Sequence, residues 1–312
     1  PVAPWMAVSA GIMPFSTVGY RFGSSQEIEG ATNKQYTTLY QGSGNISEVY
    51  LGVSFDPIKN LSFGVNGSYL FGTLVNRRLV DFNSTTANNL TNIGALSLHG
   101  FKLDAGMQYA VSFAKEHSLT VGVTYSPSLP LASRLVSQKL LSSSTSATPQ
   151  QADTITSNNS YHTPNAFGLG LAYQWNNKLL LAADVQYNMW QKALTGQPHY
   201  QARDQWQIGL GATYTPSEVA RSIWQRMEYR FGLSAENSYI TLPSNLAYKG
   251  YMKGGVSFGL GIPMVDRRSW VDLTFDYNHL FPQETSWVHE NYFRITLGLR
   301  FNEAWFRKIR LD

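Results

Sequence analysis

The strongest signal in this chain is alternation. Stretches such as Leu61-Ser62-Phe63-Gly64-Val65-Asn66-Gly67-Ser68-Tyr69-Leu70 set an aliphatic or aromatic residue at nearly every second position and Gly, Ser or Asn between. Successive side chains of a strand point to opposite faces, so each stretch predicts a strand with one bulky apolar face and one small polar face. About twelve strands are predicted, over 3–22, 34–55, 61–81, 95–113, 119–136, 161–175, 179–194, 203–215, 224–237, 249–263, 268–283 and 289–302. The connections alternate in length. Asp56–Asn60, Ala114–Ser118, Asn176–Lys178 and Val265–Arg268 are tight and polar, whereas Ser/Thr/Asn-rich loops fall near 23–33, 82–94, 137–160, 195–202, 238–248 and 284–288. Strands this long and aromatic, joined alternately by short and long connections, predict an all-β fold, a transmembrane antiparallel β-barrel with lipid outside and a polar lumen. The barrel is expected over 1–302, with a periplasmic basic-aromatic tail over 303–312.

Register sharpens the assignment of faces. Folding the chain about Ile58 sets Ser54, Gly52 and Tyr50 opposite Ser62, Gly64 and Asn66, and Phe55, Val53 and Leu51 opposite Leu61, Phe63 and Val65. A one-residue slip would mix the faces. Leu61, Phe63, Val65, Tyr69 and Phe71 are therefore expected toward lipid, and Ser62, Asn66 and Ser68 toward the lumen. The hairpin about Asn177 matches Gly170 and Ala172 with Asp184 and Ala182. Pro127, Pro130 and Pro164 are candidate ladder-breakers, because proline donates no backbone hydrogen bond. Trp190, Trp206, Tyr239, Tyr251 and Trp287 stand near strand ends, where aromatic girdles meet headgroups. The Ser/Thr-rich stretch 142–160 is expected to be a mobile loop.

Composition agrees. Hydrophobic residues make up 43% of the 312, yet no run approaches the ~18 apolar residues of a spanning helix. Charged residues are only 14%, against about 25% in an average soluble protein. The net charge of +4 comes without a Lys/Arg cluster, so no nucleic-acid groove is indicated. There is no cysteine, which excludes disulfides and thiolate metal sites.

The few strand charges are the candidate chemistry. Alternation projects Lys102, Asp104, Asp184, Glu228, Arg230, Lys253, Asp272, Asp276, Arg294 and Arg300 to the inner face. An Arg or Lys facing lipid at the midplane would cost about 2–4 kcal/mol. A ring of one sign would suit an ion-selective pore. Mixed signs point instead to a salt-bridged network bracing the lumen, with a ligand or ion path as the other reading. On the last hairpin Asp272 is expected near Arg300, and Asp276 near Arg294 or Thr296.

Catalysis finds little support. His99, His117, His162, His199, His279 and His289 are scattered, and only the last two, flanking Ser286 and near Asp276, could converge on a Ser-His-Asp arrangement. Polar residues at a barrel rim explain them better. No catalytic residue, cofactor or metal is expected, since nothing fixes tetrahedral ligand spacing near Glu290. Gly254-Gly255 and Gly259-Leu260-Gly261 lie mid-strand with no helix following, so they are not phosphate loops. Asp153-Thr154-Ile155 resembles the short O-glycosylation motif of Bacteroidota, which marks Thr154.

Several segments resemble the Bacteroidota branch of the FadL/TodX fatty-acid transporter family: Gly11-Ile12-Met13-Pro14-Phe15-Ser16-Thr17-Val18-Gly19-Tyr20, Tyr40-Gln41-Gly42-Ser43-Gly44 with Val49-Tyr50-Leu51-Gly52, Asn60–Asn66 with Tyr69–Gly72, and the ending Ile295–Phe306. The resemblance implies an outer-membrane barrel of about fourteen strands with an N-terminal hatch, the hatch and first two strands lying upstream of the twelve seen here. It implies uptake of hydrophobic small molecules such as fatty acids, with outer-membrane lipid and the transported molecule as partners. The alternative is an accessory, non-transporting subunit of a larger outer-membrane machine, since such barrels also occur in protein secretion and β-barrel assembly complexes. There the tail residues Trp305, Phe306, Arg307 and Lys308 would dock a partner or anchor in headgroups. A general diffusion porin fits poorly with a balanced, crowded lumen.

Overall fold

A computed structural model describes residues 2–27, 35–82, 87–114, 116–143, 150–194, 201–217, 219–244, 247–264 and 269–301. The strands are β1 (Met6–Glu27), β2 (Gln35–Ile58), β3 (Leu61–Asp81), β4 (Asn88–Ala114), β5 (His117–Ser126), β6 (Pro130–Ser143), β7 (Gln150–His162), β8 (Asn165–Trp175) and β9 (Leu179–Met189). After the helical turn α1 (Trp190–Ala193) come β10 (Gln201–Ala202) and β11 (Gln205–Tyr214). A second helical turn, α2 (Ile223–Arg226), precedes β12 (Glu228–Asn237), β13 (Ile240–Pro243), β14 (Tyr248–Lys249), β15 (Tyr251–Pro263), β16 (Trp270–Pro282) and β17 (Glu290–Arg300). Most join one antiparallel sheet in the order β1-β2-β3-β4-β5-β8-β9-β11-β12-β15-β16-β17, and β6 pairs with β4 and β7. The twelve strands along this path are the twelve that alternation predicts. β1 and β17 stand at its two ends.

Two corrections follow from proline and from serine-threonine composition. The expected strand 119–136 is two, β5 and β6, parted at Pro127–Leu129, and 161–175 begins only after Thr163-Pro164. Each break falls where proline removes a ladder donor. The expected loop 137–160, with its mobile stretch 142–160, is largely the β6–β7 hairpin, in which Leu131 faces Tyr161 and Gln138 faces Thr154. Threonine's branched side chain fits a pleated surface as well as a loop. Two strand ends also shorten, because 190–193 and 223–226 turn into helix.

The chain forms two compact units. One comprises Pro1–Ser54, Gly64–Asp104 and Ser126–Thr163, and the other Phe55–Phe63, Ala105–Tyr125 and Pro164–Asp312. In the first, Val65, Tyr69 and Phe71 are exposed as expected of the apolar face, whereas Ser68 is buried on the other. A side-chain carbon on Gly52 would strike Asn66, and one on Gly64 would touch Ser54, so the β2–β3 pairing pivots one residue beyond Ile58. The tight turn explains this shift, since Asn60 takes a left-handed φ of 73°. Moving the pivot by one residue moves each pairing by two and keeps every side chain on its face.

The small-residue face of this unit carries an unexpected apolar core. Ile46, Leu70, Leu98 and Leu131 pack together, with Leu74 and Tyr161 against them, and Leu70 is wholly buried at 0% exposure. Burying one such side chain contributes about 1.5–3 kcal/mol.

From β8 to β17 in the second unit the register is regular. Gly170 pairs with Asp184 and Ala172 with Ala182, the matches that the sequence sets about Asn177. Phe231, Leu233, Val256, Phe258, Phe275 and Tyr277 expose one face of β12, β15 and β16. The short strands β10, β13 and β14 make a separate three-stranded sheet.

Glycine is required where β2 and β3 approach. Gly44 has φ +117°, and a Cβ on Gly72 would lie 2.1 Å from the Asn45 carbonyl oxygen, a backbone atom that cannot swing aside. Gly72→Ala is therefore expected to lower the temperature at which the folded form converts to the unfolded one by several degrees. Gly211→Ala, where a Cβ meets nothing within 4 Å, should leave it unchanged. Heat-modifiability on electrophoresis reads both.

Candidate functional site

The charges of the second unit form a chain across four strands. At one level the register reads Glu228, Gly261, Asp272, Gly298 across β12, β15, β16 and β17. Because Gly261 and Gly298 carry no side chain, the two carboxylates share open space, and arginines one pairing away reach across it. Arg230 Nη1 contacts Asp272 Oδ1 at 3.0 Å and Arg230 also pairs with Glu228. Arg300 donates from Nε to Asp272 Oδ2 at 3.1 Å, from Nη2 to Asp272 Oδ1 at 3.2 Å, and from Nη2 to Glu228 Oε2 at 3.1 Å. Its guanidinium lies 5.1 Å from the centre of the Trp270 ring. Two cations and two anions thus neutralise one another. A Cβ on Gly261 would sit 3.1 Å from Glu228 and 3.2 Å from Arg230 Nη2.

Further along the same face Arg294 Nε meets Asp276 Oδ2 at 3.1 Å, and Lys253 Nζ meets Glu236 Oε1 at 2.9 Å. Lys253, Asp276 and Arg294 border a cavity of about 910 Å³, also walled by Asp184 and Asn278, over a floor that includes Gly209, Gly211, Gly232 and Gly255. At three of these glycines a neighbour fills the space: a Cβ at Gly209 would meet the Asp184 carboxylate, one at Gly232 the Ser257 hydroxyl, and one at Gly255 Asn278 and Ser234, whereas Gly211 is open. The cavity carries charges of both signs, and Leu280, Tyr292 and Phe293 line it as well. Asp184 is exposed and has no ion pair among the described residues.

In the first unit Lys102 and Asp104 pair with each other, and the Ser126 hydroxyl donates to Asp104. They lie where β4 changes partner, from β6 up to the Gly100–Leu131 pair to β5 from the Ala105–Tyr125 pair onward. Thr163, buried, bridges the break on the other side. Its N–H donates to the Leu129 carbonyl at 2.9 Å, and its hydroxyl accepts from the Leu129 N–H at 2.9 Å.

At the end of the second unit opposite its tight turns, four of the five expected aromatics gather in pairs. Trp190 stacks on Tyr239 at 4.7 Å and Tyr251 packs on Trp287 at 5.3 Å. Arg203 ties this crown together, donating to the Ser238 and Tyr251 carbonyls and to Gln283. Glu284 accepts from Ser244 and Lys249, and these bonds hold its carboxyl below the ordinary range, Ser244 contributing most. Burial pushes the Tyr239 phenol up.

All ten charges expected on the inner face lie among the described residues, and nine of them are joined with one another or with a further carboxylate. Glu236 was not singled out in the sequence, although it shares the parity of Glu228 and Arg230 that could have found it. Glu48, buried on the small-residue face of β2, was missed for the same reason. His279 does not enter a catalytic relay: its Nδ1 lies 2.6 Å from Asn291 Oδ1, while Asp276 is held by Arg294. Among the described residues no group of three His, Asp or Glu is placed to hold a metal. Thr154 is exposed on β7. Trp305, Phe306, Arg307 and Lys308 lie outside the described residues.

Sheet order, faces and relatives define an outer-membrane β-barrel protein of the FadL-like fold. The CymD monoaromatic hydrocarbon channel is similar at TM-score 0.55 and 11% identity, over 96% of this chain and 89% of that one. A Pseudomonas aeruginosa FadL homologue is similar at TM-score 0.50 and 10% identity, over 84% and 70%. The RagAB peptide transporter matches at TM-score 0.49 and 10% identity, over 86% of this chain, which spans only 35% of that chain's length. No curated protein matches. The family model named BamG matches residues 1–312, and the chain belongs to the BamG family.

Removing one partner of a buried ion pair costs about 3–5 kcal/mol, and an exposed pair contributes about 0–1 kcal/mol. Arg300 is half-exposed but bound to two carboxylates, whereas the Arg294 side chain is 71% exposed with one. Arg300→Leu is accordingly expected to destabilise the folded protein by about 1–3 kcal/mol, and Arg294→Leu by less than about 1 kcal/mol. Urea unfolding in lipid vesicles measures both. Equal losses would mean that the chain across β12–β17 is as solvated as Arg294.

Proposed function

We propose that this protein is a non-transporting, accessory subunit of a larger outer-membrane machine, of the β-barrel assembly kind. The observation that carries this reading is the character of the inner faces. In one unit the small-residue face is filled by Ile46, Leu70, Leu98 and Leu131 with no exposure left at Leu70. In the other the cavity wall carries two carboxylates, a lysine, an arginine and the Asn278 amide among apolar residues such as Leu280. A fatty acyl chain or an aromatic hydrocarbon gains from an apolar lining, and a wall of ion pairs would have to be partly desolvated to receive it. Membership of the BamG family over all 312 residues supports assembly over uptake.

One observation favours the second reading, passage of hydrophobic small molecules. The change of partner along β4 at Phe101–Asp104, beside Pro127 and Pro130, leaves the sheet locally without a continuous ladder, and Phe101 is 68% exposed there. The likeness to a hydrocarbon channel agrees with that reading at the level of fold.

Purification from native outer membranes, with no ligand added, separates the two. The accessory reading expects other outer-membrane proteins to elute with this chain in fixed stoichiometry through size exclusion. A chain that elutes alone and carries bound lipid-like molecules, identified by mass spectrometry, would contradict it and establish the second.

A further inference from the structure

The connection between β11 and β12 is unusual for its end of the sheet. Thirteen residues, 215–227, separate Tyr214 from Glu228, whereas three, 176–178, separate β8 from β9. Both connections lie at the same end, since the Thr215 N–H donates to the Lys178 carbonyl at 2.7 Å. In outer-membrane barrels the short-turn end is periplasmic.

The described residues of this connection are tied to one another and to the apolar side of the sheet. The Ser217 N–H donates to the Gln225 carbonyl at 2.8 Å, and Met227 is buried beneath. The Tyr229 hydroxyl donates to the Trp224 carbonyl at 2.9 Å. Tyr229 pairs with Tyr214 and shares the parity of Phe231 and Leu233, whose side chains are exposed on the lipid face. The loop is thereby tied to the rim of that face, beside two tyrosines of the kind found at the membrane boundary.

Three of its exposed side chains are apolar, set among the exposed Arg221, Ser222 and Gln225. Val219 is 83% exposed and Trp224 66%, with Ile223 and Arg221 exposed between and beside them. Arg221 and Arg226 are the charged residues described in the loop; Glu218 lies outside the described residues. An apolar set containing tryptophan, with arginines alongside, matches the headgroup layer of a membrane that carries anionic lipid. We propose that the 215–227 loop is a lipid anchor, lying in the periplasmic headgroup layer with Val219, Ile223 and Trp224 inserted and Arg221 against phospholipid phosphate. The occupant is the membrane because the loop continues the lipid-facing belt through Tyr214 and Tyr229. The inference rests on the transmembrane fold and not on the accessory role.

The absence of cysteine makes the test direct. Val219→Cys in the full chain is labelled with a bimane and placed in nanodiscs of phosphatidylcholine with phosphatidylglycerol, and a Val65→Cys label reports on the lipid belt. Phospholipid brominated high on its acyl chains should quench the Val219 label several-fold more than aqueous iodide does. That preference should weaken on omitting phosphatidylglycerol or on Arg221→Ser. Free quenching by iodide with none from brominated lipid would overturn the proposal and make the loop a surface for a soluble protein. Protection from both quenchers would overturn it by showing the loop packed on its own chain. Brominated-lipid quenching indifferent to both phosphatidylglycerol and Arg221 would overturn the part played by the arginine. A Val65 label untouched by brominated lipid would instead count against the barrel itself.

Discussion

Hydrocarbon offers neither hydrogen bonds nor counter-ions, and that constraint organises this molecule. Every strand must find a partner for its main chain, and every charge must find the other face. Both demands are visible in one hairpin. β16 and β17 pair without interruption from Trp270–Arg300 to Leu280–Glu290. Along β17, Phe293, Ile295, Leu297 and Leu299 are exposed on one face, while Arg294 and Arg300 on the other meet Asp276 and Asp272.

The same constraint explains why glycine is placed where it is. Four charges can meet only if the strand between them yields its side-chain space, and Gly261 does so between Glu228 and Asp272. Arg300 then reaches from β17 to a carboxylate on β12, tying strands that share no ladder. The first unit solves the filling of its inner face differently. Leu70 and its neighbours pack there as a small core, so the two units are braced by different interactions, one apolar and one ionic.

Most of the strand framework was legible because alternation repeats one rule twelve times. The readings that failed are those where that rule is silent. Ser and Thr between 137 and 160 suit a loop or a strand equally, and pairing of β6 with β4, not composition, decides for strand. The pivot of the β2–β3 hairpin depends on the left-handed Asn60, a conformational detail that polarity does not encode. Parity singles out ten charges, but it could not tell Asp184, which has no ion pair among the described residues, from Asp272, which has two arginines. Nor could it foresee Leu70 turning inward, because an expected polar lumen leaves no place for a buried leucine. The breaks at Pro127 and Pro164 were readable, whereas the Thr163 bridge that holds one of them depends on tertiary approach.

An inner surface of ion pairs and packed leucine is one suited to support rather than to passage of greasy molecules, and this is the claim on which the functional account stands. Radiolabelled toluene or oleate uptake into sealed liposomes, with and without the reconstituted protein, tests it most directly. The account predicts the same rate in both preparations at any solute concentration. A saturable, protein-dependent uptake would contradict it.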